Sequence, residues 1–134
     1  MATVRSPRSR IALLLGGAFV LHNLEEALAV PRMYAAIRGH WGAAPEPRAF
    51  LGLLAVATLL GLAMLAWAGG GSERPLKRTA LAGLAWILLL NILLPHVPAA
   101  VVLGGYAPGV ATALLINLPV GLFALRTLRQ TRRR

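Results

Sequence analysis

The stretch "IALLLGGAFVLHNLEEALAV", residues 11–30, decides the fold class. Its length is close to the ~20 residues that an α-helix needs to cross a bilayer. The first half is apolar throughout, whereas the second half contains His22, Asn23, Glu25 and Glu26. Because lipid cannot satisfy open backbone groups, such a run crosses the membrane as a helix. The sequence therefore predicts a membrane-spanning helix with a polar group in one of its halves.

Three more apolar runs follow the first one. They cover residues 50–68, 79–103 and 106–125. The chain is 57% hydrophobic and 13% charged, with a mean hydropathy of +0.69, which is too apolar for a soluble domain. None of the runs shows the short alternating pattern of a membrane β-strand. We therefore expect one all-α domain, residues 1–134, folded as a four-helix transmembrane bundle.

The net charge of +10 does not indicate a nucleic-acid-binding protein. The basic residues lie in short clusters between the apolar runs, without interleaved aromatic residues or a binding motif. On one side of a four-span bundle fall Arg5, Arg8, Arg10, Arg74, Lys77, Arg78, Arg126, Arg129, Arg132, Arg133 and Arg134. The other side has Arg32, Arg38 and Arg48. The positive-inside rule then places both termini in the cytoplasm, in an expected bacterial cytoplasmic membrane whose anionic lipids the basic tail contacts.

The connection between the first two runs, residues 31–49, has two interpretations. In "PRMYAAIRGHWG" the larger apolar side chains recur at helical spacing: Met33, Tyr34, Ile37 and Trp41. This pattern predicts a short helix lying in the membrane interface, with its aromatic rings at the level of the headgroups. An ordinary loop with interfacial anchors fits the same residues equally well.

The start of the chain also has two interpretations. "RSRIALLLGGAFVL" followed by "ALA" at residues 27–29 resembles a signal peptide with its cleavage site. Cleavage there would leave three spans and remove the acidic pair. We favour a retained first span, because a cleavage region does not need two adjacent glutamates.

The polar residues of the first span share one face of its helix. Positions i, i+3 and i+4 are neighbours on a helix, so His22, Glu25 and Glu26 project the same way, with Asn23 at the edge of that face. His22 lies ~18 Å and Glu26 ~24 Å along the span, which is in the outer half of the bilayer. An ionisable residue at such depth costs ~2.5–3.5 kcal/mol and normally has partners in a protein interior or a wet cavity.

The third run offers such partners in "NILLPH". Asn91 lies ~18 Å and His96 ~26 Å from its cytoplasmic end. The two are ~140° apart on an ideal helix, but Pro95 removes a backbone donor and should kink the helix there. The turn that follows carries "YAPG", residues 106–109, on the same outer side, and Asn117 lies near mid-membrane. We therefore predict one shared pocket between the first span, the third span and this turn.

These motifs resemble those of a known family. "HNLEE" is an instance of His-x-x-Glu-Glu, and the chain is similar to the small bacterial membrane proteins named for that motif, the HXXEE domain family. The family also carries an Asn…His motif and a Tyr-x-Pro-Gly motif, and "NILLPH" and "YAPG" match them in the same order. The resemblance covers nearly the whole chain. It implies a membrane protein of unknown function that is suspected of being an enzyme.

A metal-dependent enzyme is the first hypothesis for this cluster. The side chains of His22, Glu25, Glu26 and His96 are adequate ligands for Zn²⁺, Fe²⁺ or Mn²⁺. A Cys-based site is excluded, since the chain has no cysteine. Three protein ligands would leave an open position for a water molecule whose pKa the metal lowers.

A metal-free enzyme would use the same residues as acid and base. A glutamate in a low-dielectric site can act as an acid near neutral pH, either histidine can act as the base, and Tyr106 can donate a hydrogen bond. We expect an apolar lipid or isoprenoid-like substrate that enters from the membrane. Asn91 and Arg32 are the predicted substrate-binding residues, with Arg32 or Arg38 near an anionic head. Isomerisation, cyclisation and hydrolysis all fit.

Two other function classes remain open. Protonatable residues inside spans also mark proton or cation pathways, and a small carrier could be built from these four spans as a homodimer. A purely structural cluster is the third possibility. Interhelical polar contacts in membranes average only ~0.6 kcal/mol, which hardly offsets the burial of carboxylates.

Overall fold

The computed structural model describes residues 6–42, 46–72, 74–102 and 104–131, and these ranges are helical with short connections. The helices are α1 (Pro7–Trp41), α2 (Pro47–Gly69), α3 (Pro75–Asn91), α4 (Val97–Val102), α5 (Val110–Thr112) and α6 (Leu118–Gln130). An irregular turn, Ile92–His96, joins α3 to α4, and a π-helical turn, Ala113–Asn117, joins α5 to α6.

Four helical stretches within the described ranges are long and apolar enough to cross a membrane. They are Pro7–Gly39, Pro47–Gly69, Pro75–Val102 and Val110–Gln130. None of the described residues is in a β-strand. The predicted all-α class with four candidate spans is therefore confirmed, while the side on which the termini lie stays a prediction.

The helices begin where the sequence favours a start. Pro7, Pro47 and Pro75 each lie in the first turn of their helix, where a missing N–H costs no hydrogen bond and the fixed φ angle suits the helix. Ser6 caps α1, because its hydroxyl accepts a hydrogen bond from the backbone N–H of Ser9 at 3.2 Å.

The first helix continues well beyond the predicted first span. It passes through Pro31 without a break and ends at Trp41, followed by Gly42 with a φ of +71°. The expected interfacial helix is therefore helical but is the end of α1, and the alternative of an ordinary loop is wrong for residues 31–41. The rings of Tyr34 and Phe50 pack 6.3 Å apart, so the end of α1 is held by contact with α2.

The third span is broken next to Pro95, and the predicted kink is confirmed. Leu94 has extended backbone angles, φ −142° and ψ 115°, between the helices on either side. An unbroken α-helix would place Asn91 and His96 on different faces. The break turns His96 back toward Asn91, so both side chains point into the bundle.

The half of the bundle that contains the start of α1 and the end of α6 has an apolar core. In this half α1 packs on α2 and α3 packs on α6. The buried residues of this core are Ile11, Ala12, Leu15, Ala18, Leu65, Ala68, Leu81, Ala85, Leu88, Ala124, Leu125 and Leu128. At the end of this core, two basic side chains bind the turn after α2. Arg8 donates a hydrogen bond to the carbonyl oxygen of Gly71 at 2.7 Å, and Lys77 donates one to the carbonyl oxygen of Gly70 at 2.6 Å. This core holds the helices that carry the polar site.

Candidate functional site

Helix α1 and the irregular turn after α3 bring two imidazoles and a carboxylate together in the other half of the bundle. The Nε2 atoms of His22 on α1 and His96 after the α3 break are 3.0 Å apart. Glu26 Oε1 lies 3.5 Å from His22 Nε2 and 3.2 Å from His96 Nε2. Both histidines are almost fully buried, whereas the Glu26 side chain is 14% exposed. We call these three residues the His–His–Glu cluster.

Asn91 belongs to the same centre. Its Nδ2 atom lies 2.6 Å from His22 Nε2 and 3.2 Å from His96 Nε2. Its amide therefore bridges the two imidazoles. Asn91 thus contacts both histidines, and its predicted role in substrate binding stays a prediction.

The Nδ1 atom of each imidazole, which faces away from the other ring, contacts a residue just before or at the start of the fourth span. His96 Nδ1 lies 2.7 Å from the carbonyl oxygen of Pro108, and His22 Nδ1 lies 2.9 Å from Thr112 Oγ1. Each ring thus has its Nδ1 atom anchored and its Nε2 atom directed at the centre. Sequence reasoning missed Thr112, although it is the only hydroxyl residue between Tyr106 and Asn117.

The Glu25 side chain contacts Thr112 and Tyr106 rather than the His–His–Glu cluster, although Glu25 shares a helix face with Glu26. Its Oε2 atom accepts hydrogen bonds from the backbone N–H of Thr112 at 2.8 Å and from Thr112 Oγ1 at 2.5 Å. Its Oε1 atom accepts the hydroxyl proton of Tyr106. This hydrogen bond raises the pKa of Tyr106 to about 12. Glu25 therefore lies one hydrogen-bonded residue away from the three converging donor atoms, and its role as a metal ligand stays a prediction.

The "YAPG" turn supplies three separate contacts to the site. Tyr106 binds Glu25 through its hydroxyl, and Pro108 binds His96 through its carbonyl oxygen. Gly109 has a φ of +82°, and a Cβ atom at this position would lie 2.4 Å from His96 Cε1 and 3.0 Å from His22 Cε1. Glycine is therefore required both for the backbone conformation and for the space that the two rings occupy.

Two other buried asparagines lie outside the cluster. Asn23 faces α2, where its Nδ2 atom donates to Thr58 Oγ1 at 2.6 Å. Asn117 is fully buried, and neither polar atom of its side chain has a hydrogen-bond partner among the described residues. The adjacent residues His22 and Asn23 thus contact different parts of the bundle: His22 belongs to the cluster, and Asn23 binds α2.

A cavity of about 310 Å³ opens beside the cluster, between α1 and the turn before α5. Its polar lining comes from Glu25, Arg32 and Tyr106. The remaining lining residues are Leu28, Ala29, Met33, Ala36 and Pro108. Arg32 thus lies where the sequence analysis expected a contact with an anionic head, while Arg38 is not part of this lining. Glu25 and Pro108 connect the cavity wall to the two histidines through the hydrogen bonds described above.

The donor set can do two kinds of chemistry. Two imidazoles and a carboxylate suit a divalent transition metal, and their ligand atoms all lie within 4.8 Å of one another. The same groups can also pass a proton between them, since the nitrogen–oxygen distances are within or near hydrogen-bond reach.

Comparison with known proteins agrees with the motifs at this site. A family model described as a protein of unknown function with HXXEE motif matches residues 13–124. The uncharacterized protein YrkK of Bacillus subtilis (strain 168) is 29% identical over 103 residues. That alignment covers 77% of this chain and 65% of the relative, so the chain spans just under two thirds of the relative's length. No solved structure matches.

Proposed function

Since the chain belongs to the family of proteins of unknown function with the HXXEE motif, we propose from its geometry that it is a membrane-embedded enzyme. Its substrate is an apolar lipid or isoprenoid-like molecule, and its chemistry is metal-assisted or uses glutamate and histidine as acid and base. It acts in a bacterial cytoplasmic membrane with both termini in the cytoplasm. The observation that carries the proposal is the convergence of His22, His96 and Glu26 within 3.0–3.5 Å.

The energetics of burial favour a catalytic role over a structural one. Each ionisable residue inside a span costs ~2.5–3.5 kcal/mol on insertion scales, and an interhelical polar contact returns only ~0.6 kcal/mol on average. An apolar cluster would hold the helices together at lower cost, as the core around Leu15 and Leu81 does in the other half of the bundle. Reactive groups buried at such cost are typical of a functional site.

The cavity supports an amphiphilic substrate. Its volume of about 310 Å³ is at the lower end of the range for small-molecule sites, and most of its lining is apolar. Leu28, Ala29 and Met33 offer an apolar surface to an acyl or isoprenoid chain, while Arg32 offers a positive charge to a phosphate or carboxylate head. The substrate would lie along α1, with its head at Arg32 and its other end beside Glu25 and Tyr106, the lining residues that lead to the cluster.

In the metal-free form of this chemistry the residues have distinct roles. His96 or His22 acts as the base, and Glu26 acts as the acid that exchanges protons with it. In an isomerisation, the base removes a proton from a carbon next to a double bond while the acid adds one at its far end. Glu25 and Tyr106 line the cavity and would contact the substrate, and Glu25 also orients His22 through Thr112.

A carrier is the weaker alternative. Transport would need a polar path from the His–His–Glu cluster to the opposite face of the membrane. The half of the bundle beyond the cluster is instead filled by the apolar core of α1, α2, α3 and α6. A pocket open on one side suits a reaction better than passage.

The enzyme proposal is tested with isotopically labelled water. Purified protein is incubated with a bacterial lipid extract in water enriched in deuterium and ¹⁸O, and the lipids are compared by mass spectrometry. Isomerisation or cyclisation by acid–base steps introduces solvent deuterium, and hydrolysis introduces ¹⁸O. We expect labelled lipid with the wild-type protein and none with Glu26→Gln. Glu46→Gln, a change at an exposed residue that precedes α2, is the matched control and should retain labelling.

Two results would contradict the proposal. One is the absence of labelled lipid with folded wild-type protein. The other is equal labelling with wild-type protein and with Glu26→Gln, which would show that the carboxyl group takes no part. A voltage- or pH-driven proton flux through vesicles that contain the protein, lost in Glu26→Gln, would support the carrier instead.

A further inference from the structure

We infer that the His–His–Glu cluster binds one divalent transition-metal ion, held by His22 Nε2, His96 Nε2 and Glu26 Oε1. The inference deepens the proposed function and rests on it only for the catalytic use of the ion. Metal binding itself follows from the hydrogen-bond pattern and from the distances among the three donor atoms. Both are independent of what the substrate is.

The hydrogen-bond partner of His96 fixes its proton on the outer nitrogen. A carbonyl oxygen can only accept, so the 2.7 Å contact with Pro108 requires that His96 Nδ1 donates. In a neutral imidazole one nitrogen is the donor and the other the acceptor. His96 Nε2 therefore presents a lone pair to the centre.

A relay of hydrogen bonds fixes the proton of His22 in the same way. Thr112 has one hydroxyl proton, and it donates that proton to the carboxylate of Glu25 at 2.5 Å. Thr112 Oγ1 must then accept from His22 Nδ1 at 2.9 Å. His22 Nε2 is left with its lone pair directed at His96. Histidine ligands of metals typically donate their other ring N–H to a carbonyl or carboxylate in this manner.

The three donor atoms have the spacing of metal ligands. Their mutual distances are 3.0, 3.2 and 3.5 Å. Tetrahedral Zn²⁺ with bonds of about 2.0–2.1 Å separates its ligands by about 3.3–3.4 Å. The Asn91 amide N–H group donates to the two imidazole lone pairs, but the carboxylate oxygen of Glu26 still faces both of them with no proton between. The arrangement therefore calls for either a metal ion or a shared proton.

Asn91 can itself supply a further ligand to the cluster. Its amide lies within 3.2 Å of both imidazoles through Nδ2. Rotation of the amide by half a turn exchanges Nδ2 for Oδ1, which is a metal ligand or a partner for a metal-bound water. Two imidazoles with oxygen donors favour Zn²⁺, Fe²⁺ or Mn²⁺ over Mg²⁺ and Ca²⁺, which prefer oxygen alone.

The test measures metal content without a histidine tag. The protein is purified in detergent through a different tag, loaded separately with Zn²⁺, Mn²⁺ or, under anaerobic conditions, Fe²⁺, and freed of excess metal. Mass spectrometry of the elements should give about one equivalent of at least one metal per chain. Retention should fall by on the order of tenfold or more in His22→Ala, His96→Ala and Glu26→Gln. Asn23→Ala and Glu46→Gln are matched controls that should retain the metal.

The inference is wrong if wild-type protein retains none of the three metals, or if the double variant His22→Ala/His96→Ala retains as much as wild type. Should the histidine variants fail to fold, Glu26→Gln and Thr112→Val decide the question. Glu26→Gln keeps the shape of the side chain, and Thr112→Val removes the hydroxyl that anchors His22 and binds Glu25 but no metal ligand, so each should still weaken retention by about 10–100-fold.

The outcomes separate the metal from the enzyme. Bound metal without isotope incorporation into lipid upholds the metal site and contradicts the proposed function. If a chelator removes all metal from the protein and isotope is still incorporated into lipid, the metal site is contradicted. Acid–base catalysis through a shared proton is then upheld. X-ray absorption of the loaded protein should show two imidazole ligands at about 2.0–2.1 Å.

Discussion

Replacement of Gly109 by alanine should destabilise the protein strongly, because two separate penalties meet at this residue. Its φ of +82° is unfavourable for any residue with a Cβ atom, which costs about 1–2 kcal/mol. The new Cβ atom would also lie 2.4 Å from His96 Cε1, 2.9 Å from His96 Nδ1 and 3.0 Å from His22 Cε1. His96 is held at both ring nitrogens and cannot move aside freely, so crowding adds about 1–3 kcal/mol. We expect a total loss of about 2–5 kcal/mol.

Two neighbouring glycines separate these penalties. Gly104 has a φ of +62° with no atom near its added Cβ, so Gly104→Ala should cost only the backbone term of about 1–2 kcal/mol. Gly105 has neither a positive φ nor a close neighbour, so Gly105→Ala should stay within about 0.5 kcal/mol of wild type. The three variants thus differ by one physical cause at a time.

The measurement is unfolding of the purified protein in mixed micelles with increasing denaturing detergent, followed by circular dichroism. The free energy of unfolding should fall in the order wild type and Gly105→Ala, then Gly104→Ala, then Gly109→Ala. Equal losses for Gly104→Ala and Gly109→Ala would refute the argument from crowding. They would mean that the imidazoles do not lie against this glycine.

Three further predictions concern the Tyr106–Glu25 hydrogen bond and the two buried asparagines outside the cluster. The phenolate absorbance of Tyr106, measured as the difference between wild type and Tyr106→Phe, should titrate near pH 12, and Glu25→Gln should move this titration toward about pH 10. Because the pKa of Tyr106 is raised in the folded state, its contact with Glu25 stabilises the fold below about pH 10. This stabilisation is lost as the pH rises through about 12. Asn117→Leu should raise the free energy of unfolding by about 1–3 kcal/mol, since it removes a buried amide without partners, and unchanged stability would argue that the amide is satisfied. Asn23→Ala should lower it by about 0.5–1.5 kcal/mol through loss of the contact with Thr58, with no change in metal content.

Much of the fold follows from the sequence because membrane spans obey simple rules. The length and hydropathy of the four runs predict four helices, and Pro95 predicts the break in the third. Pro31 did not mark an end of α1, because a single lost backbone donor is outweighed where the next turns pack on α2 through Tyr34. A proline thus broke one helix and not another, and the difference lies in tertiary contacts that local sequence does not contain.

The sequence indicates which residues lie near the site better than it indicates how their side chains are arranged. Motif spacing brings His22, Glu26 and His96 to one region. The divergence of Glu25 depends on Thr112, which follows the "YAPG" turn and has no regular spacing from the first span. The contact of Asn91 with both imidazoles likewise depends on the irregular turn after α3. Helical periodicity describes regular backbone, and both of these contacts arise where the backbone departs from it.

The π-helical turn Ala113–Asn117 has a consequence for how relatives should align. Its backbone N–H groups bond five residues back, as that of Leu118 does to the carbonyl oxygen of Ala113, so the turn contains one residue more than an α-helical turn. Deleting one residue here would restore α-helical pairing and rotate the preceding segment by about 100° relative to α6. That rotation would carry Thr112 away from His22. A one-residue gap at this point should therefore occur together with loss of the threonine, and an ungapped turn with its retention.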